Sequence, residues 1–166
     1  TDPNLAGGAL LDVGIYPLTF IDMVMGAQEI DHLATSMQPY PTGVDAQSTT
    51  TLYYADTTMA TALSSMLCVS DREGMVYGTE GYLVCHNVNN VSAVDIYDTD
   101  HARVDHIDMP EQLTGYEYEV AASVQAIRAG KRDTIEMPHA DTLRMMALLD
   151  QIRDEWGLVF PFEHQD

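Results

Sequence analysis

The chain is poor in basic residues. Its 7 lysines and arginines stand against 26 aspartates and glutamates in 166 residues, the formal net charge is -19, and Lys131 is the only lysine. Nucleic acids and anionic membrane surfaces both bind through basic patches, so neither is expected as a partner. The acidic balance indicates either an ordinary solubilising surface or a host with a salty cytoplasm, and composition alone leaves both open.

Cysteines and long apolar runs are also scarce. Cys68 and Cys85 lie in predicted strands and lack the spacing of a disulfide framework or a zinc site, so buried, reduced thiols are expected. The longest apolar run, residues 18–25, is interrupted by Thr19 and Asp22 and falls short of the ~18 residues of a membrane span. Nothing resembles a secretory signal. We therefore expect a cytoplasmic, globular protein with one core.

Several catalytic motifs are absent from the sequence. No Gly-x-Gly-x-x-Gly follows a strand and opens a helix, no Walker phosphate loop is present, and no Gly-x-Ser-x-Gly elbow occurs. The residues alone therefore indicate neither a nucleotide site nor a serine nucleophile, and the cofactor-binding residues stay unknown.

His101 and His106 are the best candidates for metal ligands, because three aspartates accompany them in one short stretch. Arg103 lies between them, and the polar stretch indicates an exposed strand or turn. A metal-dependent hydrolase would require both imidazoles to converge with a carboxylate. We predict no metal site, and we interpret His32 and His86 as ordinary sheet residues.

Hydrophobic patterning predicts one helix followed by a run of strands. The helix is predicted over residues 18–25, because Pro17 suits a first helical turn and Gly26 suits the position after the last residue. Short connections favour antiparallel neighbours, since parallel crossovers need a dozen or more residues. Strands are predicted over residues 30–37, 46–54, 59–69, 75–79, 82–86, 91–97 and 102–107.

Two further helices are predicted to close the chain. The first carries an apolar stripe of Tyr116, Val120, Val124 and Ile127, and the second follows Pro138. The inner face of the second helix is predicted to comprise Met145, Leu148, Leu149, Ile152 and Trp156. Runs of strands and helices, rather than their alternation, predict the α+β class. We expect an open, mostly antiparallel sheet with helices packed on one face, in one domain over residues 1–166.

Asp12 and Tyr16 are the strongest candidates for chemistry. If their segment is helical, residues four apart lie on one face with about 5–6 Å between Cβ atoms, and the pair can bind and deprotonate an alcohol. The surrounding glycines let a ligand or neighbouring backbone come close. Alternatively, Asp12 caps a helix that begins near Pro17, and Tyr16 is a core residue. A phenol needs a nearby cation to act as a base, and Lys131 is poorly placed in a polar turn, so the residues leave both readings open.

Residues 7–16, Gly-Gly-Ala-Leu-Leu-Asp-Val-Gly-Ile-Tyr, resemble the second-domain signature of the Gfo/Idh/MocA oxidoreductases. These are two-domain nicotinamide enzymes that act on sugars, cyclitols and diols. Further similar segments follow in the family's order at residues 42–45, 116–131 and 137–161, so the resemblance spans almost the whole chain. Tyr16 in place of histidine resembles the branch of dimeric dihydrodiol dehydrogenases and NADP-linked xylose dehydrogenases.

The resemblance implies the roles of the candidate pair. Asp12 and Tyr16 match the catalytic aspartate and the histidine or tyrosine four residues later. Tyr16 would be the general base in oxidation and the general acid in reduction, while Asp12 would orient the substrate hydroxyl or a lysine from the family's cofactor domain. The implied reaction interconverts a hydroxyl and a carbonyl on a sugar or diol with NAD or NADP.

The resemblance also implies that this chain is a substrate-binding and dimerisation domain. The family's N-terminal Rossmann domain, which binds NAD(P) and donates the lysine, has no counterpart in the sequence, so the chain is expected to be inactive alone. A homodimer through the open sheet face is implied. The alternative is a non-catalytic dimerising or ligand-binding module, which predicts that the Tyr16 hydroxyl turns away from any cleft.

Overall fold

The computed structural model describes residues 1–164, and the first of its two units is built on a three-stranded sheet. This unit comprises Thr1–Ser70 and the residues from Met145 onward. Its strands β1 (Ile30–Pro39), β2 (Asp45–Tyr54) and β3 (Met59–Ser65) pair antiparallel in the order β1-β2-β3. The predicted β2–β3 hairpin is confirmed, although β3 ends at Ser65 rather than at residue 69.

The first helix begins earlier than predicted. A 3-10 turn, Pro3–Leu5, and a π-helical turn, Leu10–Gly14, lead into α1, Ile15–Met25. Pro17 therefore lies inside the helical stretch. Its ring would clash with the preceding turn of a regular α-helix, and the wider π-helical turn before it accommodates the ring. The helix ends as predicted, because the Gly26 N–H donates to the Asp22 carbonyl at 2.8 Å.

The core of the first unit lies between the sheet and the helices α1 and α3 (His139–Trp156). Alternate residues of β2 are buried, as expected for a strand with one covered face. The buried core side chains are Leu10, Leu18, Ile21, Leu52, Tyr54, Ala62, Met145, Leu148, Leu149 and Ile152. The inner face predicted for α3 is thus confirmed, with Trp156 packed partly buried against the same core.

The stretch Pro3–Met25 also has the length and composition of a membrane span, with 23 residues and a mean hydropathy of 1.4. This stretch extends beyond the apolar run at residues 18–25 and was not predicted from the sequence as a span. Leu10, Leu18 and Ile21 of this stretch are buried against the sheet, and a core helix passes the same test.

The second unit, Asp71–Arg144, contains a separate four-stranded sheet. Its strands are β4 (Gly74–Tyr77), β5 (Gly81–His86), β6 (Ala93–Asp98) and β7 (Arg103–Asp108), all antiparallel to their neighbours. The α+β class and the antiparallel pairing are therefore confirmed, and the strands divide between two sheets.

Helix α2, Glu117–Arg128, carries no buried residue. All four residues of its apolar stripe are exposed, from 38% at Val124 to 74% at Ile127. The helix is fixed at its start by the Glu117 carboxylate, which accepts the N–H groups of Leu113, Thr114 and Gly115 at 2.7–3.0 Å. The backbone N–H of Glu117 itself and those of Thr114 and Leu113 lower the pKa of this carboxyl to about 2.

The two cysteines have different environments. Cys85 is buried in β5, and this burial raises the pKa of its thiol. Cys68 is exposed, because β3 ends before it, so the expectation of a buried strand position is wrong for Cys68.

Candidate active site

The candidate pair Asp12 and Tyr16 lies on one continuous helical stretch. Asp12 belongs to the π-helical turn and Tyr16 is the second residue of α1. Side chains four residues apart on a helix are neighbours, so the two project from adjacent turns. Asp12 is exposed, and Tyr16 keeps 42% of its surface accessible. π-Helical turns occur frequently at functional sites, which fits the position of this pair.

Both polar groups of the pair are available to a ligand. Within residues 1–164, neither the Asp12 carboxylate nor the Tyr16 hydroxyl has a hydrogen-bond partner, and no side chain of the helical stretch itself caps the π-helical turn or α1. The alternative in which Asp12 caps the helix and Tyr16 packs in the core is therefore not what the structure contains. The arrangement can donate to and accept from a bound hydroxyl.

The glycines around the pair make room for the chain itself. A Cβ at Gly7 would lie 2.8 Å from the Asp2 backbone nitrogen, and one at Gly14 would lie 3.1 Å from Ser64 Oγ. A Cβ at Gly8 would collide with the Asp45 carboxylate. The sequence allowed these glycines to make room either for a ligand or for neighbouring residues. At these positions the structure shows neighbouring residues of the chain itself.

Asp45 is the residue of this region whose role the sequence analysis did not identify. Its side chain reaches from the start of β2 to the helical stretch, where Oδ2 accepts the Leu10 N–H at 2.6 Å. Burial raises the pKa of the Asp45 carboxyl, and the N–H groups of Leu10, Asp45 and Ala9 oppose that rise. Asp45 lies in the segment at residues 42–45, which resembles a segment of the Gfo/Idh/MocA family. Its contact with Leu10 depends on the placement of β2, which no local sequence pattern reveals.

The turn at Gly7-Gly8 does not fit the phosphates of a nicotinamide dinucleotide. The Gly7-Gly8 pair precedes a helical N-terminus, which is where such phosphates bind, but the Asp45 carboxylate already occupies that position. A second anion beside a carboxylate would be repelled. Lys131 belongs to the second unit, whereas the pair belongs to the first.

The histidine segment does not form the metal site that was considered. His101 lies against the Tyr82 ring, with 5.8 Å between centroids, whereas His106 Nδ1 donates to Asp95 Oδ1 at 2.6 Å. Among the described residues, no group of three or more potential ligands is placed to hold a metal ion. The convergence of His101 and His106 that a metal-dependent hydrolase would require is therefore not observed.

A network of charged groups joins three strands of the second sheet. Asp95, with only 9% of its side chain exposed, accepts from His106 Nδ1, from His86 Nε2 at 2.9 Å and from Arg103 at 3.2 Å. His86 is a sheet residue, as predicted, and its ion pairs with Asp95 and Glu73 were not predicted. The strand pairing of β5, β6 and β7 brings these residues together. Because they are separated in sequence, no local pattern predicted their contact.

This network shifts the pKa values of its members. The bonds from His106 and then His86 lower the pKa of Asp95 to about 2. The bond to Asp95, followed by the bond to Glu73, raises the pKa of His86, while Asp95 and then Asp108 raise that of His106. Each imidazole has a carboxylate at both ring nitrogens, and only the protonated ring can donate to both.

A family profile matches the half of the chain that contains Asp12 and Tyr16. The profile described as "GFO/IDH/MocA C-terminal domain" matches residues 1–84, just over half of the 166 residues. The matched region contains the candidate pair, Asp45 and the whole of the first sheet.

Curated relatives are similar over nearly the whole chain. Trans-1,2-dihydrobenzene-1,2-diol dehydrogenase from Danio rerio is 28% identical over 98% of this chain and 50% of its own length. The enzyme of the same name from Homo sapiens is 26% identical over 96% and 49%. The scyllo-inositol 2-dehydrogenase (NADP(+)) of Bacillus subtilis (strain 168) is 24% identical over 96% and 47%.

Solved structures share the fold. An aldose-aldose oxidoreductase from Caulobacter crescentus, complexed with glycerol, superposes with a TM-score of 0.73 at 17% identity, over 89% of this chain and 45% of that one. A 3-ketoreductase from Actinomadura kijaniata, in complex with TDP-benzene and NADP, gives 0.73 at 24% identity, over 89% and 46%. At these identities the likeness shows the fold alone.

The chain spans about half the length of the curated relatives it matches. The resemblance predicted from residues 7–16 is confirmed by the profile match and by these relatives. The chain belongs to the GFO/IDH/MocA family, in which it corresponds to the C-terminal domain.

Proposed function

We propose that this chain is the substrate-binding and dimerisation domain of an NAD(P)-dependent oxidoreductase that interconverts a hydroxyl and a carbonyl on a sugar or diol. The observation that carries the proposal is the exposed pair Asp12 and Tyr16 on one helical stretch, with no partner for either polar group in residues 1–164. Relatives named for diol and inositol oxidation support the substrate class.

The chemistry of the pair concerns the proton of the reacting hydroxyl. In oxidation the Tyr16 oxygen takes the proton from the substrate hydroxyl, and in reduction it returns the proton to the carbonyl oxygen. The Asp12 carboxylate orients the substrate hydroxyl for this transfer or holds the cation that Tyr16 needs. That cation is supplied by a polypeptide region outside this sequence.

The cofactor in this proposal is NAD or NADP, bound by residues outside the described chain. A bound nicotinamide accepts or supplies the hydride. One curated relative is named as an NADP(+) enzyme, and one structural neighbour was solved in complex with NADP. Both favour NADP over NAD as the cofactor. The two free cysteines are consistent with a reducing cytoplasm, which we propose as the location.

The homodimer in this proposal forms through the outward face of the first sheet. Apart from Asp31, at the bulge near the start of β1, whose carboxylate bonds to His32, none of the outward positions carries Asp, Glu, Lys or Arg, although 20% of the chain does. These positions are His32, Ala34, Ser36, Gln38, Gln47, Thr49, Thr51, Tyr53, Met59, Thr61, Leu63 and Ser65. Two copies with a formal charge of -19 each repel, and an uncharged face is where they can approach closely.

The experiment is the substitution Tyr16→Phe in the full-length oxidoreductase. Removal of the proton-transferring oxygen is expected to lower kcat by about 10²–10⁴-fold, because general acid-base catalysis contributes that much. Cofactor affinity should stay nearly unchanged, as measured by fluorescence titration. Tyr118→Phe, which removes an exposed phenol on α2, is the matched control and should keep full activity. Retention of most activity in Tyr16→Phe would favour the non-catalytic module instead.

A further inference from the structure

Asp45 is buried with no cation beside it. It is 1% exposed, and within residues 1–164 no lysine, arginine or histidine forms an ion pair with its carboxylate. A buried carboxylate is costly unless hydrogen bonds meet its charge. Here the Leu10 N–H donates to Oδ2 at 2.6 Å, and the Ala9 N–H also favours the charged form. The positive end of the helical stretch thus takes the place of a cation.

The Asp45 carboxylate is the side-chain cap of the stretch that carries the pair. Ala9 and Gly14, which precede the π-helical turn and α1, provide no side-chain cap of their own. The cap is therefore supplied by a residue 35 positions away in sequence. It enters through space that exists because residue 8 is glycine, with a φ of +143°.

The contact lies only a few residues from the candidate pair. Leu10 is the first residue of the π-helical turn, Asp12 is in the same turn, and Tyr16 follows in α1. A shift of Leu10 relative to β2 therefore rotates or translates both side chains together. Misplacement of a reacting group by about 1 Å can lower a rate by 10²-fold.

We propose that Asp45 is a positioning residue that, through the Leu10 amide, sets where Asp12 and Tyr16 stand relative to the substrate. The proposal rests on the proposed function of that pair. Asp45 itself touches neither substrate nor cofactor, and its carboxylate acts only through the backbone of the helical stretch.

The test is Asp45→Asn in the full-length oxidoreductase. Asparagine keeps the shape and loses the charge, so kcat should fall by about 10- to 100-fold with little change in KM. Hydrogen exchange of the Leu10 amide should accelerate. The matched control is Thr50→Val on the same strand, which removes the buried hydrogen bond to Thr35 and should leave kcat unchanged.

A second background separates positioning from general stability. If Asp45 acts through the pair, Asp45→Asn should cause no further loss of kcat in a Tyr16→Phe protein. An equal loss in both backgrounds, or an unchanged kcat with an exposed Leu10 amide, would overturn the proposal. A Tyr16→Phe protein with full activity would instead refute the proposed function of the pair.

Gly8→Ala is the second variant if Asp45→Asn does not fold. It keeps the carboxyl group and displaces it from Leu10, so the same loss of kcat is expected. Failure of both variants to fold, as seen by circular dichroism, would make Asp45 a folding determinant and would contradict a positioning role.

Discussion

At the scale of single residues, Gly8 allows the Asp45 carboxylate to reach the helical stretch that carries Asp12 and Tyr16. It combines a φ of +143° with a neighbouring carboxylate in the space where a Cβ would lie. Gly43 is the natural comparison, because it also has a positive φ, +95°, but faces open space.

Substitution of these two glycines should therefore have unequal effects. Gly43→Ala is expected to lower the free energy of unfolding by about 1–2 kcal/mol, the cost of a left-handed conformation for a residue with a Cβ. Gly8→Ala should lose about 1–3 kcal/mol more, because it also overpacks. Urea unfolding followed by the fluorescence of Trp156, the one tryptophan, measures both. Equal losses would mean that the Asp45 contact contributes nothing to stability.

Local spacing predicts part of the site at this scale. The helix predicted over residues 18–25 did not include Asp12 and Tyr16; their common face was predicted only on the condition that their segment is helical, and the structure meets that condition. The function of Asp45 could not be predicted, since its contact with Leu10 joins residues 35 apart. The same limit applies to His86, whose partner Asp95 lies on the next strand.

At the scale of elements, the charged network of the second sheet makes its stability depend on pH. His86 and His106 have raised pKa values, so their contribution is complete below about pH 6.5 and is lost as the pH rises through the folded values. Asp95 has a lowered pKa of about 2, so its contribution is complete above about pH 4 and is lost as the pH falls through about 2. The network stabilises the sheet most between about pH 4 and pH 6.5.

Hydrogen exchange measures this dependence for each sheet in one experiment. After correction for intrinsic rates, amides of β5–β7 should be better protected at pH 5.5 than at pH 8.5. The amides of β1–β3, which lie outside the network, provide the internal reference. His106→Gln should reduce the difference, and His101→Gln, which removes a ring that contacts Tyr82, should preserve it. Equal protection of β5–β7 at both pH values would refute a proton-linked network.

Element prediction succeeded where one pattern sufficed. The apolar period of α3 specified its buried face correctly, and the strand pattern specified the β2–β3 hairpin. The start of α1 was missed because Pro17 was taken as a first-turn residue, whereas the π-helical turn extends the helix before it. The apolar stripe of α2 is exposed, which periodicity cannot reveal because it identifies a face and not what covers it.

At the scale of the whole molecule, the proposed homodimer depends on the net charge of the chain and on the outward face of the first sheet. Leu63 is 63% exposed on that face, and Met23 is 78% exposed on α1, which packs on the other face of the same sheet. A glutamate at residue 63 would place like charges across the proposed dimer contact, which is costly at an interface.

Sedimentation velocity distinguishes the two positions. Leu63→Glu is expected to raise the dimer dissociation constant by at least about tenfold, which corresponds to 1.4 kcal/mol. Met23→Glu adds the same charge on α1, which packs on the other face of the same sheet, and should leave the dimer intact. A monomeric wild type, or a dimer equally insensitive to both substitutions, would contradict the proposed contact.

Family membership and fold class were accessible from the sequence, because the segment at residues 7–16 and the order of the elements are properties of the chain itself. The division of the strands between two sheets was not, since it depends on which strand edges pair.

The most direct test of the central claim is a double-mutant cycle on kcat/KM with Asp12→Asn, Tyr16→Phe and the combined variant in the full-length oxidoreductase. Because both groups are proposed to act on one substrate hydroxyl, each single variant should lose activity and the combined variant should be no worse than the poorer single one. Losses that multiply, or a Tyr16→Phe protein that turns over like the wild type, would contradict the claim that the two residues form one catalytic unit.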